Sequence, residues 1–166
     1  MILPVSYWPL TLDEVREHYA RVSQAVEISV CVYNNPWMTG VDMKPEFLAE
    51  LGGLPNVDAV KESSADLARI TAIRRLTEDR LTIIAGWEST SLQAFMAGAR
   101  GWACVCANFL PRETWQFFDA ALRDGDLARA RSLWDRLFPV CEFIGADLRP
   151  TQDLGKIHFS PDRWIR

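Results

Sequence analysis

Four short apolar runs, E-I-S-V-C-V-Y (27–33), V-D-A-V-K (57–61), L-T-I-I-A-G (81–86) and W-A-C-V-C-A (102–107), recur along the chain. Each is rich in Val, Ile, Ala or Cys and nearly continuous in hydrophobicity. That is the pattern of a parallel strand covered on both faces, whereas a half-exposed antiparallel strand alternates. Their starts fall roughly 20 to 30 residues apart, the length of one strand-plus-helix unit.

Helical patterns fill the gaps. Residues 11–25 open on Thr11 with Glu14 three places on, a capping-box spacing, and carry Leu12, Val15, Tyr19 and Val22 at helical intervals. Helices are likewise predicted over 44–51, with Pro45 in the first turn, over 65–77, with Leu67, Ile70, Ile73 and Leu76 on one stripe, and over 89–98, ending at Gly98. Two consecutive helices, 111–123 and 126–144, follow the last run, separated by the Asp124-Gly125 turn. The opening M-I-L-P-V-S-Y-W-P, framed by Pro4 and Pro9, reads as the tail of a strand entering a loop. Residues 147–166 hold no sustained period and read as an irregular tail. The pattern predicts an α/β region over 1–146 with about four strand-helix units and C-terminal helices.

Length and charge restrict the function classes. The 166 residues suffice for one domain but fall short of the roughly 250 of a complete eight-fold β/α barrel. With 24% charged residues and a net charge of −4, nothing suggests a nucleic-acid or anionic-membrane partner. No apolar run approaches the ~20 residues of a membrane span, and the start lacks a secretory pattern, so a cytoplasmic location is expected. The four cysteines, Cys31, Cys104, Cys106 and Cys141, sit inside apolar runs and suit reduced, buried thiols. Cys104 and Cys106 would share one side of a strand, but with only two histidines in the chain, His18 and His158, small core side chains are favoured over a metal site.

In parallel α/β proteins ligands bind beyond the carboxyl ends of the strands. Here those ends carry Tyr33 with Asn34 and Asn35, Lys61 with Glu62, Ser63 and Ser64, Gly86 with Trp87, Glu88 and Ser89, and Asn108. Strand parity puts Ser29, Cys31 and Tyr33 on one face opposite Ile28, Val30 and Val32, and Ala59 with Lys61 opposite Val60. A lysine ending a buried strand has a specific chemical use. Partial desolvation disfavours the ammonium and frees the amine to attack a ketone, and the resulting imine withdraws electrons from the adjacent carbon. A nearby phenol can relay the protons. The plain structural alternatives are a lysine that snorkels to water and a tyrosine that packs its ring.

The run Y-N-N-P-W-M-T-G, N-V-D-A-V-K-E-S-S, I-I-A-G-W-E-S and A-G-A-R-G-W-A-C-V-C-A-N resembles, over residues 3 to about 145, the dihydrodipicolinate synthase and N-acetylneuraminate lyase family of pyruvate-dependent class I aldolases. The resemblance implies a (β/α)8 TIM-barrel fold, represented here by about its second half. It implies Lys61 as the imine-forming lysine and Tyr33 as the proton relay. Gly86 and Ala103 would face the bound 2-oxo acid mainly through backbone, and Glu88 and Met38 would also contact substrate, with Asn108 as a structural residue. No cofactor or metal is implied, since the lysine is itself the electron sink. The implied partners are pyruvate or a related 2-oxo acid, and either further copies of the chain or a complementary half barrel.

Three departures accompany the resemblance. The four upstream units, including the motif that binds the pyruvate carboxylate, have no counterpart. Met38 stands where the family's synthases place an arginine that grips aspartate semialdehyde, which predicts an aldolase or lyase other than dihydrodipicolinate synthase itself, with an apolar or aromatic substrate tail near Trp8, Trp37, Met38 and Trp87. The tail from Asp147 lacks the expected helical ending. A catalytically inactive remnant serving as an interaction or regulatory module is the alternative. A flavodoxin-like ligand-binding domain is a weaker one, because no strand is followed by a Gly-rich phosphate loop.

Overall fold

The computed structural model describes residues 1–146, so the predicted tail at 147–166 lies outside the described residues. The chain divides into two compact units, residues 1–103 and residues 104 onward.

The first unit is a parallel sheet in sequential order. Its strands are β1 (Val30–Asn34), β2 (Val57–Glu62), β3 (Thr82–Ala85) and β4 (Gly101–Trp102), each hydrogen-bonded to the next. Helices α1 (Leu12–Ala25), α2 (Pro36–Thr39), α3 (Pro45–Leu51), α4 (Ala68–Thr77) and α5 (Ser91–Ala97) lie before and between them. Ile2 adds one parallel bridge to Val32 at the outer edge of β1, as the strand-like opening implied. The Tyr19 hydroxyl donates to the Ile2 carbonyl at 2.7 Å and ties α1 to that segment.

The helix starts follow the local chemistry. Thr11 accepts from the Glu14 backbone N–H while the Glu14 carboxylate accepts from the Thr11 N–H at 2.8 Å, completing the capping box of α1. Pro36 and Pro45 open α2 and α3, where a missing N–H costs nothing. Gly98 ends α5 with φ 108°, and an added Cβ there would also meet the Arg74 guanidinium at 2.3 Å.

Several sequence expectations are corrected. Strand β1 begins at Val30, so Ile28 precedes it and is 74% exposed. On α1 the buried positions are Val15, Tyr19 and Ser23, while Leu12 is exposed and Val22 half-buried. On α4 they are Ile70, Ile73 and Thr77, with Leu76 exposed. The small hydroxyls can take these slots because each bonds within its own helix, Ser23 to Ala20 and Thr77 to Ile73. The fourth apolar run supplies only one strand residue, Trp102, the other being Gly101 before it. Its partner β3 ends at Ala85, Val105 turns helical, and Cys106 begins a 3-10 turn, so Cys104 and Cys106 do not share a strand face. Helix α2 was not foreseen.

Apart from that shortened strand, side-chain parity holds with one adjustment. Between Val30 and Cys31 the β1–β2 register shifts so that Asp58 faces no partner, a bulge that lets both Val57 and Val60 be buried. Val30, Val32, Asn34, Val60, Glu62, Ile83 and Ala85 are buried, whereas Cys31, Tyr33, Ala59, Lys61 and Ile84 are half-buried.

The second unit holds α6 (Pro111–Phe118), which continues into a π-turn (Asp119–Arg123), and α7 (Leu127–Ala146), which contains Pro139. The Asp124-Gly125 turn separates them, with Gly125 at φ 66°. Phe117 packs against Trp134 in a tilted arrangement with ring centroids 5.0 Å apart. The buried thiols of Cys106 and Cys141 lie 3.3 Å apart. No described helix is long and apolar enough to cross a membrane.

Candidate active site at the strand ends

Tyr33 and Lys61 are direct partners in the β1–β2 ladder, each one residue before its strand's end. The register places the two side chains on the same face, where neighbouring strands are ~4.8 Å apart. The Lys61 Nζ lies over the Tyr33 ring, 3.9 Å from its centroid. The Asn35 amide donates to the Tyr33 hydroxyl at 3.2 Å. Burial pushes the Tyr33 phenol up, but Lys61 and Asn35 hydrogen bonding and the Lys61 charge outweigh it, and the phenol titrates below its ordinary value.

Gly86 follows β3 and leaves room for this pair. Its N–H donates to the Glu62 carbonyl at 2.9 Å, and a Cβ there would come within 1.9 Å of the Ser63 Oγ and 2.9 Å of the Lys61 Cε. Glycine is required at this position by close approach. Ser63 is 1% exposed, and its hydroxyl has no hydrogen-bond partner among the described residues.

Behind the pair, on the helix-covered face, a polar clamp fixes the strand ends. Asn34, fully buried, donates to the Glu62 carboxylate at 2.8 Å and to the Met43 carbonyl at 3.2 Å, and its own carbonyl accepts from the Met43 N–H at 3.2 Å. The other Glu62 oxygen accepts from the Ser64 N–H at 2.7 Å, while the Ser63 N–H donates to the Asn34 carbonyl. Arg69 then grips Asp42 with both guanidinium arms, and Lys44 pairs with the same carboxylate at 2.6 Å.

Of the residues expected to form the site, Tyr33, Lys61 and Gly86 come together. Ala103 lies just past β4 and donates its N–H to the Ala85 carbonyl at 3.0 Å, so its backbone is occupied in the sheet. Met38 is 65% exposed on α2, and Glu88 is 6% exposed in the 3-10 turn before α5. Trp8 and Trp37 are exposed as well, at 74% and 71%. Asn108 belongs to the second unit, where its backbone N–H closes a 3-10 turn onto the Val105 carbonyl and its side-chain amide donates to the same oxygen. Sequence reasoning had placed Asn35, Glu62 and Ser63 at this edge without giving them work. The buried, polar end of each strand was the signal, but which oxygen meets which amide depends on side-chain geometry.

A parallel β/α sheet with an amine and a phenol stacked at the carboxyl ends of adjacent strands is the arrangement of a β/α-barrel-type protein. The model of the dihydrodipicolinate synthetase family matches residues 1–151, and the chain belongs to that family. It is 35% identical to a 4-hydroxy-tetrahydrodipicolinate synthase of Thermomicrobium roseum, over 83% of this chain and 45% of that protein. With the enzyme of that name from Methanothrix thermoacetophila it shares 33% identity over 81% of this chain and 45% of the relative. Among solved structures, a candidate dihydrodipicolinate synthetase from Pseudomonas aeruginosa is 40% identical with a TM-score of 0.82, covering 86% of this chain and 49% of that one. The Acinetobacter baumannii dihydrodipicolinate synthase, solved with pyruvate, has the same fold at 24% identity and a TM-score of 0.81, covering 89% and 51%. The chain thus has the barrel family's fold and spans about half the length of the curated relatives it matches. Both named curated relatives are synthases, so they lend no support to the expectation that this chain is something other than one.

Proposed function

We propose that Lys61 is the imine-forming residue of a class I aldolase or lyase acting on pyruvate or a related 2-oxo acid, with Tyr33 as its proton relay. The observation that carries this reading is the Lys61 amine lying 3.9 Å from the centroid of the Tyr33 ring at the carboxyl ends of paired strands. The amine adds to the C2 carbonyl, and the carbinolamine loses water to give the imine. Loss of a C3 proton then gives an enamine whose carbon attacks an aldehyde, and hydrolysis returns the free lysine. Tyr33 moves protons during dehydration and carbon–carbon bond formation. The organic chemistry needs no bound cofactor or metal, and Gly86 keeps the approach to the amine clear.

For the aldehyde, the relatives' names support aspartate semialdehyde and the 4-hydroxy-tetrahydrodipicolinate synthase reaction. One observation favours a second reading, an aldehyde without a carboxylate at its far end. Met38, exposed and apolar, occupies the position where the resemblance places a carboxylate-gripping arginine. Because the chain spans about half of its relatives, the whole site is proposed to form when the half-buried face of the sheet meets a complementary half barrel or a second copy.

Borohydride reduction in the presence of pyruvate tests the assignment. Lys61 should gain the mass of pyruvic acid less one oxygen atom, and Lys61→Met should not label. An unlabelled Lys61 in folded protein supplied with its other half would end the imine reading and favour a non-catalytic interaction module. Comparing turnover of aspartate semialdehyde with that of uncharged aldehydes separates the two substrate readings.

A further inference from the structure

Asn35 precedes Pro36 at the start of α2, the position where an asparagine ordinarily caps a helix through its side chain. Here it makes no cap hydrogen bond. Its side chain turns to Tyr33 and donates to the phenol oxygen at 3.2 Å. Asn35 is 8% exposed, and its carbonyl oxygen is buried without a hydrogen-bond partner among the described residues. The amide therefore forgoes the cap bond its oxygen would ordinarily accept, while keeping its contact with the phenol. Buried acceptors are rarely left unmet without a functional reason.

We infer that Asn35 is a positioning residue for Tyr33, whose amide donation occupies a lone pair of the phenol oxygen and leaves the phenol's own hydrogen available to a bound ligand. The inference rests on the proposed relay role of Tyr33. A donor at the oxygen also favours the deprotonated phenol without adding charge, since phenolate is the better acceptor. Around the phenol, Lys61 on β2 is the charged group, Cys31 shares the strand face, and Asn35 and Ser63 are neutral. Lys61 and Asn35 therefore divide the work: one supplies charge over the ring, the other direction at the oxygen. The unmet Asn35 oxygen is an acceptor suited to a hydroxyl or water arriving with the substrate.

Ultraviolet titration of the 166-residue chain tests this through the phenolate absorption of its three tyrosines. Tyr33→Phe identifies the Tyr33 transition by difference. Asn35→Leu should move that transition upward by roughly half to one pH unit. Asn35→Asp should move it further, because its carboxylate can only accept and carries like charge. Should Asn35→Leu fail to fold, Asn35→Ala removes the same donor without adding charge and decides the matter. A Tyr33 transition unchanged in the folded variants overturns the inference. Borohydride trapping at Lys61 in the unsubstituted chain, supplied with its other half, keeps the two ideas apart. Trapping without a titration shift overturns the role of Asn35 alone, and a shift without trapping supports that role while removing the imine reading.

Discussion

A single methyl group is enough to disturb the Tyr33–Lys61 pair. In Gly86→Ala the new Cβ would overlap the buried Ser63 hydroxyl at 1.9 Å and press on the Lys61 side chain at 2.9 Å. Overpacking of this kind typically costs about 1–3 kcal/mol. Thermal melting should show that loss, and the rate of Lys61 trapping should fall by more than the stability change explains, because the displaced atom belongs to the side chain proposed to form the imine. Lys61 and Tyr33 were legible in the sequence because apolar runs fix parity and strand ends fix location. The roles of Ser63 and Asn35 were not. Both are polar residues at a turn, a composition that fits many loops, and only the packed geometry shows one hydroxyl wedged beside Gly86 and one amide turned to a phenol.

At the scale of elements, the clamp between β1 and β2 should be separable from the chemistry. Glu62→Ala removes the acceptor of the Ser64 N–H, while Asn34 keeps its bonds to Met43. The unmet backbone donor sets the expected destabilisation at about 1–3 kcal/mol, measurable as a lower denaturant midpoint. The neighbouring Asp42 makes a pH-dependent contribution. Its hydrogen bonds from Arg69, opposed by burial and reinforced by Lys44, lower it from an ordinary 3.8 to about 2. A depressed carboxylate stabilises the fold above its unfolded value, and that stability is lost as pH falls through the folded one. Melting temperature should therefore decline between about pH 4 and pH 2, and Asp42→Asn should flatten that limb. The helices at this scale were readable from their ends, Thr11 with Glu14, Pro45 and Gly98. Strand β4 and helix α2 were not. The apolar run at 102–107 looks like a strand, but β3 ends too early to pair with most of it, and length of pairing is a property of the partner.

For the whole molecule, the uneven covering of the sheet matters most. One face is buried by helices, whereas Cys31, Tyr33, Lys61 and Ile84 on the other are half-buried. Cys31 is a built-in reporter of that face. Burial raises its thiol pKa, outweighing the nearby positive charges, so labelling will be slow at neutral pH. It should nevertheless outpace Cys106 and Cys141, which are fully buried. Peptide mapping after limited alkylation measures the order directly. Protection of Cys31 to the level of Cys106 would mean that something covers this face in solution, and protection that vanishes on dilution would identify a second copy as the cover. The family's barrel was legible at this scale through four motifs in order. How much of a barrel this chain builds by itself was not, because the closing of a sheet depends on strands beyond the four described.

The Tyr33–Lys61 register has a consequence for how new activities could arise. Since backbone hydrogen bonds between two strands set the spacing of amine and phenol, the segments beyond them, such as 36–44 carrying Trp37 and Met38, can lengthen or change composition without moving the pair. Laboratory diversification for new aldehydes should therefore be confined to those loops. A library that randomises them while leaving the strands intact would sample specificity for the proposed imine chemistry without moving the amine and the phenol.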